Sequence, residues 1–148
     1  MTRILFICHG NICRSPMAEI VTIELLRQRG LTEKFEIASA AVSAEELGNP
    51  IYPPARAELR RQGLPVPARQ AWQLCRADYE KYDLFVCMDG SNLRAMHRIF
   101  GGDPEQKLRL LLDRDVEDPW YTGRYDVVMK EIRAGCAALL DELTRASE

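Results

Sequence analysis

Near the start of the chain a cysteine, a glycine, an arginine and a serine stand close together in the run Cys8-His9-Gly10-Asn11-Ile12-Cys13-Arg14-Ser15-Pro16. A cysteine followed six positions later by arginine is uninformative alone, since about 0.5 such pairs are expected by chance at this composition. Requiring glycine at the third position and serine after the arginine lowers that expectation to roughly one in a thousand. Each residue type has a physical use. A short loop winding into a helix turns successive backbone N–H groups inward and makes an anion-binding nest. Gly10 lets the backbone turn and approach closely. The planar fork of Arg14 grips two phosphate oxygens at once, which a lysine cannot do. Cys8 in that positive field is expected as a thiolate at neutral pH, set for in-line attack on phosphorus. The Ser15 hydroxyl can cap the helix and also donate to the Cys8 sulfur, stabilising it as a leaving group when a phosphocysteine is hydrolysed.

Such a route needs an acid for the leaving oxygen that later serves as base toward water. Two Asp-Pro pairs occur, Asp103-Pro104 and Asp118-Pro119, and proline biases the residue before it to extended geometry. Asp103 follows Gly101-Gly102 in what reads as an ordinary surface turn. Asp118 precedes Trp120-Tyr121, and an aromatic pair beside a carboxyl suits the wall of a slot for a flat ring. The alternative for Trp120 and Tyr121 is packing of the last helix onto the core. Asp118 is the expected acid.

These residues need elements to hold them. Residues 3–7 read as a short buried strand ending at Cys8, and Ser15-Pro16 as N-cap and first position of a helix stopped by Gly30. Further strands are expected at 35–38, 84–88 and 107–112. Helices are expected at 54–62, at 76–82, from a Ser91 cap to 100, and over 124–145. Strands alternating with helices predict a three-layer, doubly wound α/β fold of four parallel strands with helices on both faces. Ligands in such folds bind at the carboxyl edge of the sheet, where both Cys8 and Asp118 are expected.

The 148 residues suit one domain, 1–148, with no repeat or linker. At 47% hydrophobic and 28% charged the chain can bury a core, and a formal net charge of −2 argues against bulk nucleic-acid binding. Its apolar runs are too short to span a bilayer, and the first residues lack a signal-peptide layout, so a cytoplasmic location is expected. Five cysteines, an odd number without a Cys-x-x-Cys pair, argue for thiols rather than disulfide staples or a zinc site. Cys8, His9 and Cys13 could supply three soft ligands, but no fourth is evident, and no metal or cofactor is expected. Cys87 and Cys136 read as small core residues.

Taken together the residues resemble the low-molecular-weight protein tyrosine phosphatases. The match runs through Cys8-x-Gly10-Asn11-Ile12-Cys13-Arg14-Ser15-Pro16-Met17-Ala18-Glu19, Ser39-Ala40-Ala41, Gly48-Asn49-Pro50, Ala68-Arg69-Gln70, Met88-Asp89-x-Ser91-Asn92-Leu93 and Asp118-Pro119. The resemblance implies a metal-independent phosphoric monoester hydrolase acting on phosphotyrosine-containing proteins and releasing inorganic phosphate. It implies Cys8 as nucleophile, Arg14 as phosphate clamp and Asp118 as general acid. Asn11, Ser15 and Ser39 would form the network shaping the loop, while His9, Gly10, Ile12, Cys13, Trp120 and Tyr121 would line the substrate site. Family analogy also implies a cognate tyrosine kinase, and a reversible disulfide between Cys13 and Cys8, although Cys13 could equally be a small filler.

The chain departs from the family in several places. His9 stands where the family is usually apolar or small, and Ser43-Ala44-Glu45-Glu46 gives an acidic rim where an aromatic is common. The segment 64–70 lacks the histidine that commonly supports the loop asparagine, leaving Asn11 without that support. Trp120-Tyr121 replaces a tyrosine pair. Three alternatives share the loop. Protein arginine phosphatases carry threonine where Ile12 stands, and an apolar Ile12 crowds a guanidinium. Thioredoxin-coupled arsenate reductases need two further relay cysteines, which Cys75 and Cys87 do not resemble. A binding module without turnover needs neither thiol nor acid.

Overall fold

The computed structural model describes residues 1–145. Four strands, β1 (Thr2–Cys8), β2 (Phe35–Ala41), β3 (Leu84–Cys87) and β4 (Leu108–Leu110), form one parallel sheet in the order β2-β1-β3-β4. Around it lie α1 (Arg14–Gln28), α2 (Pro53–Arg61), α3 (Gly90–Phe100), the one-turn α4 (Pro119–Thr122) and α5 (Tyr125–Arg145). The doubly wound four-stranded fold expected from the strand and helix alternation is therefore present. Among the described residues no helix is long and apolar enough to cross a membrane.

β1 is buried on both faces because its alternate side chains feed two separate cores. Ile4, Phe6 and Cys8 join the core under α1, α2 and α5, where Met17, Val21, Leu59, Val128 and Ile132 pack. Leu5 and Ile7 face the other core, with Phe85, Met96 and Phe100. The chain leaves β1 for β2 on one side and later returns to β3 on the other. The carboxyl end of β1 is thus the switch point where the crossovers diverge and a crevice opens. Cys8 sits there.

Several element ends differ from expectation. Ser15 is the second residue of α1 and not its cap; Cys13 occupies the N-cap without a side-chain cap bond, because the Ser15 hydroxyl is committed to the loop. Asp89, not Ser91, caps α3, accepting from the Asn92 N–H while the Asn92 side chain accepts from the Asp89 N–H. This reciprocal box satisfies two end donors and outcompetes a cap two residues later. β2 runs on to Ala41: small residues at 38–41 carry little strand propensity, but their pairing with β1, Phe6 to Ser39 and Cys8 to Ala41, holds them extended. The expected helix at 76–82 is a 3-10 turn over Arg76–Glu80.

Candidate active site

The strand-to-helix loop is pinned by three backbone bonds. Val42 N–H donates to the Cys8 carbonyl at 3.1 Å and Ser43 N–H to that of His9 at 3.1 Å, while Tyr52 N–H donates to that of Ile12 at 2.9 Å. The loop then delivers Asn11, a fully buried residue, at φ 59°, a left-handed conformation that asparagine tolerates better than other non-glycine residues. Asn11 thereby aims its N–H at the Cys8 sulfur, 3.3 Å away. The Ser15 hydroxyl lies 3.0 Å from the same sulfur. No acidic residue stands in the first turn of α1, so the positive end of the helix is left uncompensated beside that sulfur.

Arg14, only 2% exposed, is held by three acceptors from two segments. Nη1 donates to Asp89 Oδ2 at 2.7 Å and to the Val116 carbonyl at 2.9 Å, and Nη2 to Asp118 Oδ2 at 3.4 Å. Burial works against its charge, but Cys8, Asp89 and Asp118 prevail, and its pKa is raised. Asp118 is oriented in turn by the Trp120 N–H, which donates to Oδ1 at 3.0 Å, because Asp118 is the N-cap of α4. An ion pair between Glu117 and Arg124 spans that same turn.

These groups surround a cleft of about 120 Å³ lined by the loop, Glu45, Glu46, Asp118, Trp120 and Tyr121. Its loop side comprises Cys8, His9, Gly10, Ile12, Cys13 and Arg14. Trp120 does not pack α5 onto the core: it is half exposed and lies against Tyr52, ring centroids 4.6 Å apart, while Tyr121 projects into solvent. His9 Nε2 meets Glu45 Oε2 at 3.0 Å at the rim. Cys13 is buried with its sulfur 3.7 Å from the Tyr125 hydroxyl. Ser39 and Ser15 both accept from Asn11 Nδ2, at 3.0 and 2.8 Å. Every expected site residue therefore borders the cleft or the network beneath it.

Three residues with no role assigned from sequence also belong here. Arg69 supports Asn11, donating through Nη1 to the Asn11 carbonyl at 2.7 Å and through Nη2 to Asn11 Oδ1 at 2.5 Å. Glu19 accepts from the Ser39 hydroxyl at 2.5 Å. Burial raises the pKa of Glu19, with the Ser39 bond and the charge of Arg69 pulling it back. Asp89 is the third. The Asp-x-x-Asn spacing signals its cap; nothing in the local pattern signals Arg69 or Glu19.

A sulfur at the mouth of a helix, beside a buried guanidinium and a carboxyl in an α/β fold, is an arrangement able to hold a phosphate-like dianion. Residues 3–148 match the family described as low molecular weight phosphotyrosine protein phosphatase. The chain is 33% identical to the low molecular weight protein-tyrosine-phosphatase YfkJ of Bacillus subtilis, over 100% of this chain and 99% of the relative. It is 34% identical to the human low molecular weight phosphotyrosine protein phosphatase, over 94% of each. The crystal structure of YfkJ superimposes with a TM-score of 0.96, covering 100% of this chain and 98% of that one. The Streptococcus pyogenes enzyme SP-PTP, 30% identical, superimposes at 0.91, covering 97% and 93%. This chain belongs to the low molecular weight phosphotyrosine protein phosphatase family and is an enzyme of that class.

Proposed function

We propose that the enzyme hydrolyses phosphotyrosine in proteins through a phosphocysteine on Cys8. The observation that carries this reading is the Cys8 sulfur at the floor of the cleft, 3.0 Å from Ser15 Oγ and 3.3 Å from the Asn11 N–H, both able to donate to a thiolate. Arg14 and the loop N–H groups hold the phosphoryl oxygens. The sulfur forms an S–P bond as the P–O bond to the phenol breaks, and Asp118 gives its proton to the leaving phenolate. Asp118, now a carboxylate, takes a proton from water as that water attacks phosphorus. The S–P bond breaks, inorganic phosphate leaves, and the sulfur departs as a thiolate steadied by Ser15. Side chains and backbone do all of this.

Trp120 and Tyr121 provide aromatic wall for a phenyl ring, and Ile12 lines the cleft with an apolar side chain, which favours tyrosine over a guanidinium. The phosphoprotein substrates would come from a protein tyrosine kinase, the class of enzyme that phosphorylates a phenol. Should peroxide oxidise Cys8 to a sulfenic acid, the Cys13 thiol in the same loop would condense with it, releasing water and leaving a disulfide.

The test is turnover of an aryl phosphate with a chelator present. Cys8→Ser loses turnover and keeps phosphate binding, and rapid quench of the wild type traps a phosphoprotein bearing an S–P bond. Asp118→Asn slows substrates with poor leaving groups most. Turnover retained in Cys8→Ser, or phosphoarginine hydrolysed as fast as phosphotyrosine, overturns the reading.

A further inference from the structure

We infer that Arg69 is the positioning residue of the phosphate loop, its guanidinium fork locking Asn11 in the left-handed turn that presents the Asn11 N–H to the Cys8 sulfur. The inference rests on Cys8 being the nucleophile. Asn11 is the one non-glycine loop residue in that conformation, and it is fully buried, so neither water nor a missing Cβ relieves it. Arg69 binds both of its oxygens, the backbone carbonyl at 2.7 Å and Oδ1 at 2.5 Å. With Oδ1 fixed on Arg69 and on the Trp72 N–H at 3.4 Å, the amide has one orientation open: Nδ2 faces Ser15 and Ser39. Ser15 in turn meets the sulfur at 3.0 Å. Two chains of contacts thus run from one guanidinium to one sulfur, through the Asn11 backbone and through its side chain.

Arg69 is itself held. Nη2 also reaches Ser39 Oγ at 3.3 Å, and Ser39 donates to Glu19, so a carboxylate stands one residue behind the fork. Burial pulls the Arg69 pKa down, while Glu19 and Cys8 sustain its charge. Lysine has the charge but a single nitrogen, and it cannot span the carbonyl and Oδ1 together.

The test uses the full chain and two variants, Arg69→Lys and Arg69→Gln. The first readout is the rate of Cys8 alkylation by iodoacetate against pH, with the site mapped by mass spectrometry; it follows the sulfur without turnover. The second is kcat on an aryl phosphate, and the third is thermal unfolding. In both variants the alkylation midpoint moves to higher pH and kcat falls about 10-fold or more, further in Arg69→Gln, beyond anything the unfolding midpoint accounts for. In an Asn11→Ala background Arg69→Lys costs less than it does alone, because Oδ1 is already gone and only the backbone carbonyl is left for the fork. Arg69→Lys with the alkylation profile and kcat of the wild type overturns the inference, as does failure of both variants to fold, which makes Arg69 a brace of the fold alone. The nucleophile assignment is judged separately: it falls if Cys8→Ser still turns over, whatever the Arg69 variants do.

Discussion

Asp89 divides its carboxylate between a helix and the site: Oδ1 accepts the Asn92 N–H at 2.9 Å to cap α3, and Oδ2 accepts Arg14 Nη1 at 2.7 Å. The two jobs can be separated. Asparagine is as good a cap as aspartate but carries no charge and offers Arg14 an N–H in place of an acceptor. Asp89→Asn therefore keeps the cap but breaks the Arg14 ion pair, so it costs less stability than Asp89→Ala while losing phosphate affinity and about 10-fold in kcat/KM. Asp89→Ala loses both, with about 1 kcal/mol from the cap and more from leaving a buried guanidinium one partner short. Thermal melts beside kinetics on one aryl phosphate check this; equal kinetics in Asp89→Asn and wild type would break the link.

The acidic rim is expected to select against acidic substrates. Glu45 reaches His9, and Glu46 lies so close over the loop that a Cβ at Gly10 would come within 3.1 Å of its Cγ. A phosphotyrosyl peptide with acidic neighbours brings like charge against that wall. Replacing both by glutamine raises kcat/KM for acid-flanked peptides several-fold, leaves basic-flanked peptides level or poorer, and the gap closes in high salt. A wild-type enzyme that hydrolyses both peptides equally at low ionic strength would contradict it.

Three buried thiols give a pH signature. Burial pushes Cys13 up to about 12 against the Tyr125 bond, and likewise Cys87 and Cys136, each from an ordinary 9.0. In the folded chain they keep their protons where the unfolded chain's thiols ionise. The folded state thus binds more protons above pH about 9, and stability falls as pH rises toward about 12. Cys136→Ala flattens part of that slope at the expense of a small cavity, read from denaturant unfolding at several pH values. Alkylation of the folded enzyme at pH 8 should spare all three while the exposed Cys75 reacts.

How much of this the sequence carries depends on the range of the interaction. Cys8, Arg14 and Ser15 are legible because strand end, loop and helix start are consecutive, and local geometry forces them together. Asp118 is legible because Asp-Pro before an aromatic pair marks a loop on the carboxyl edge of the sheet. Arg69 is not: it meets Asn11 from 58 positions away, and only the folded segment behind β2 brings it there. Asp89 is half legible, its cap written in Asp-x-x-Asn and its bond to Arg14 set by the β1–β3 pairing. The extension of β2 to Ala41 escapes for the opposite reason, since small residues owe their strand to their neighbours rather than to themselves. Serine before proline has a local preference to cap a helix, but the pull of the sulfur and Asn11 on Ser15 is stronger.

The long final helix reaches the site through a glycine. A Cβ on Gly135 would lie 2.8 Å from Leu111 Cγ and 2.9 Å from Leu112 Cδ2, closer than such atoms approach. Alanine at 135 would favour the helix by about 1 kcal/mol in isolation, but here it must push the two leucines, an overpacking that costs about 1–3 kcal/mol. Gly135→Ala is therefore neutral to destabilising, the reverse of its propensity. The displaced residues lead directly into the segment that supplies the Val116 carbonyl to Arg14 and then Asp118, so activity falls along with stability. Trimming Leu111 to alanine in the Gly135→Ala background makes room at the contact. The double variant then loses less stability than the two single losses added together, and recovers part of the kcat lost in Gly135→Ala. Strict additivity in unfolding free energy would mean that α5 and the strand exit are not in the tight contact described, and that the glycine serves the helix for some other reason.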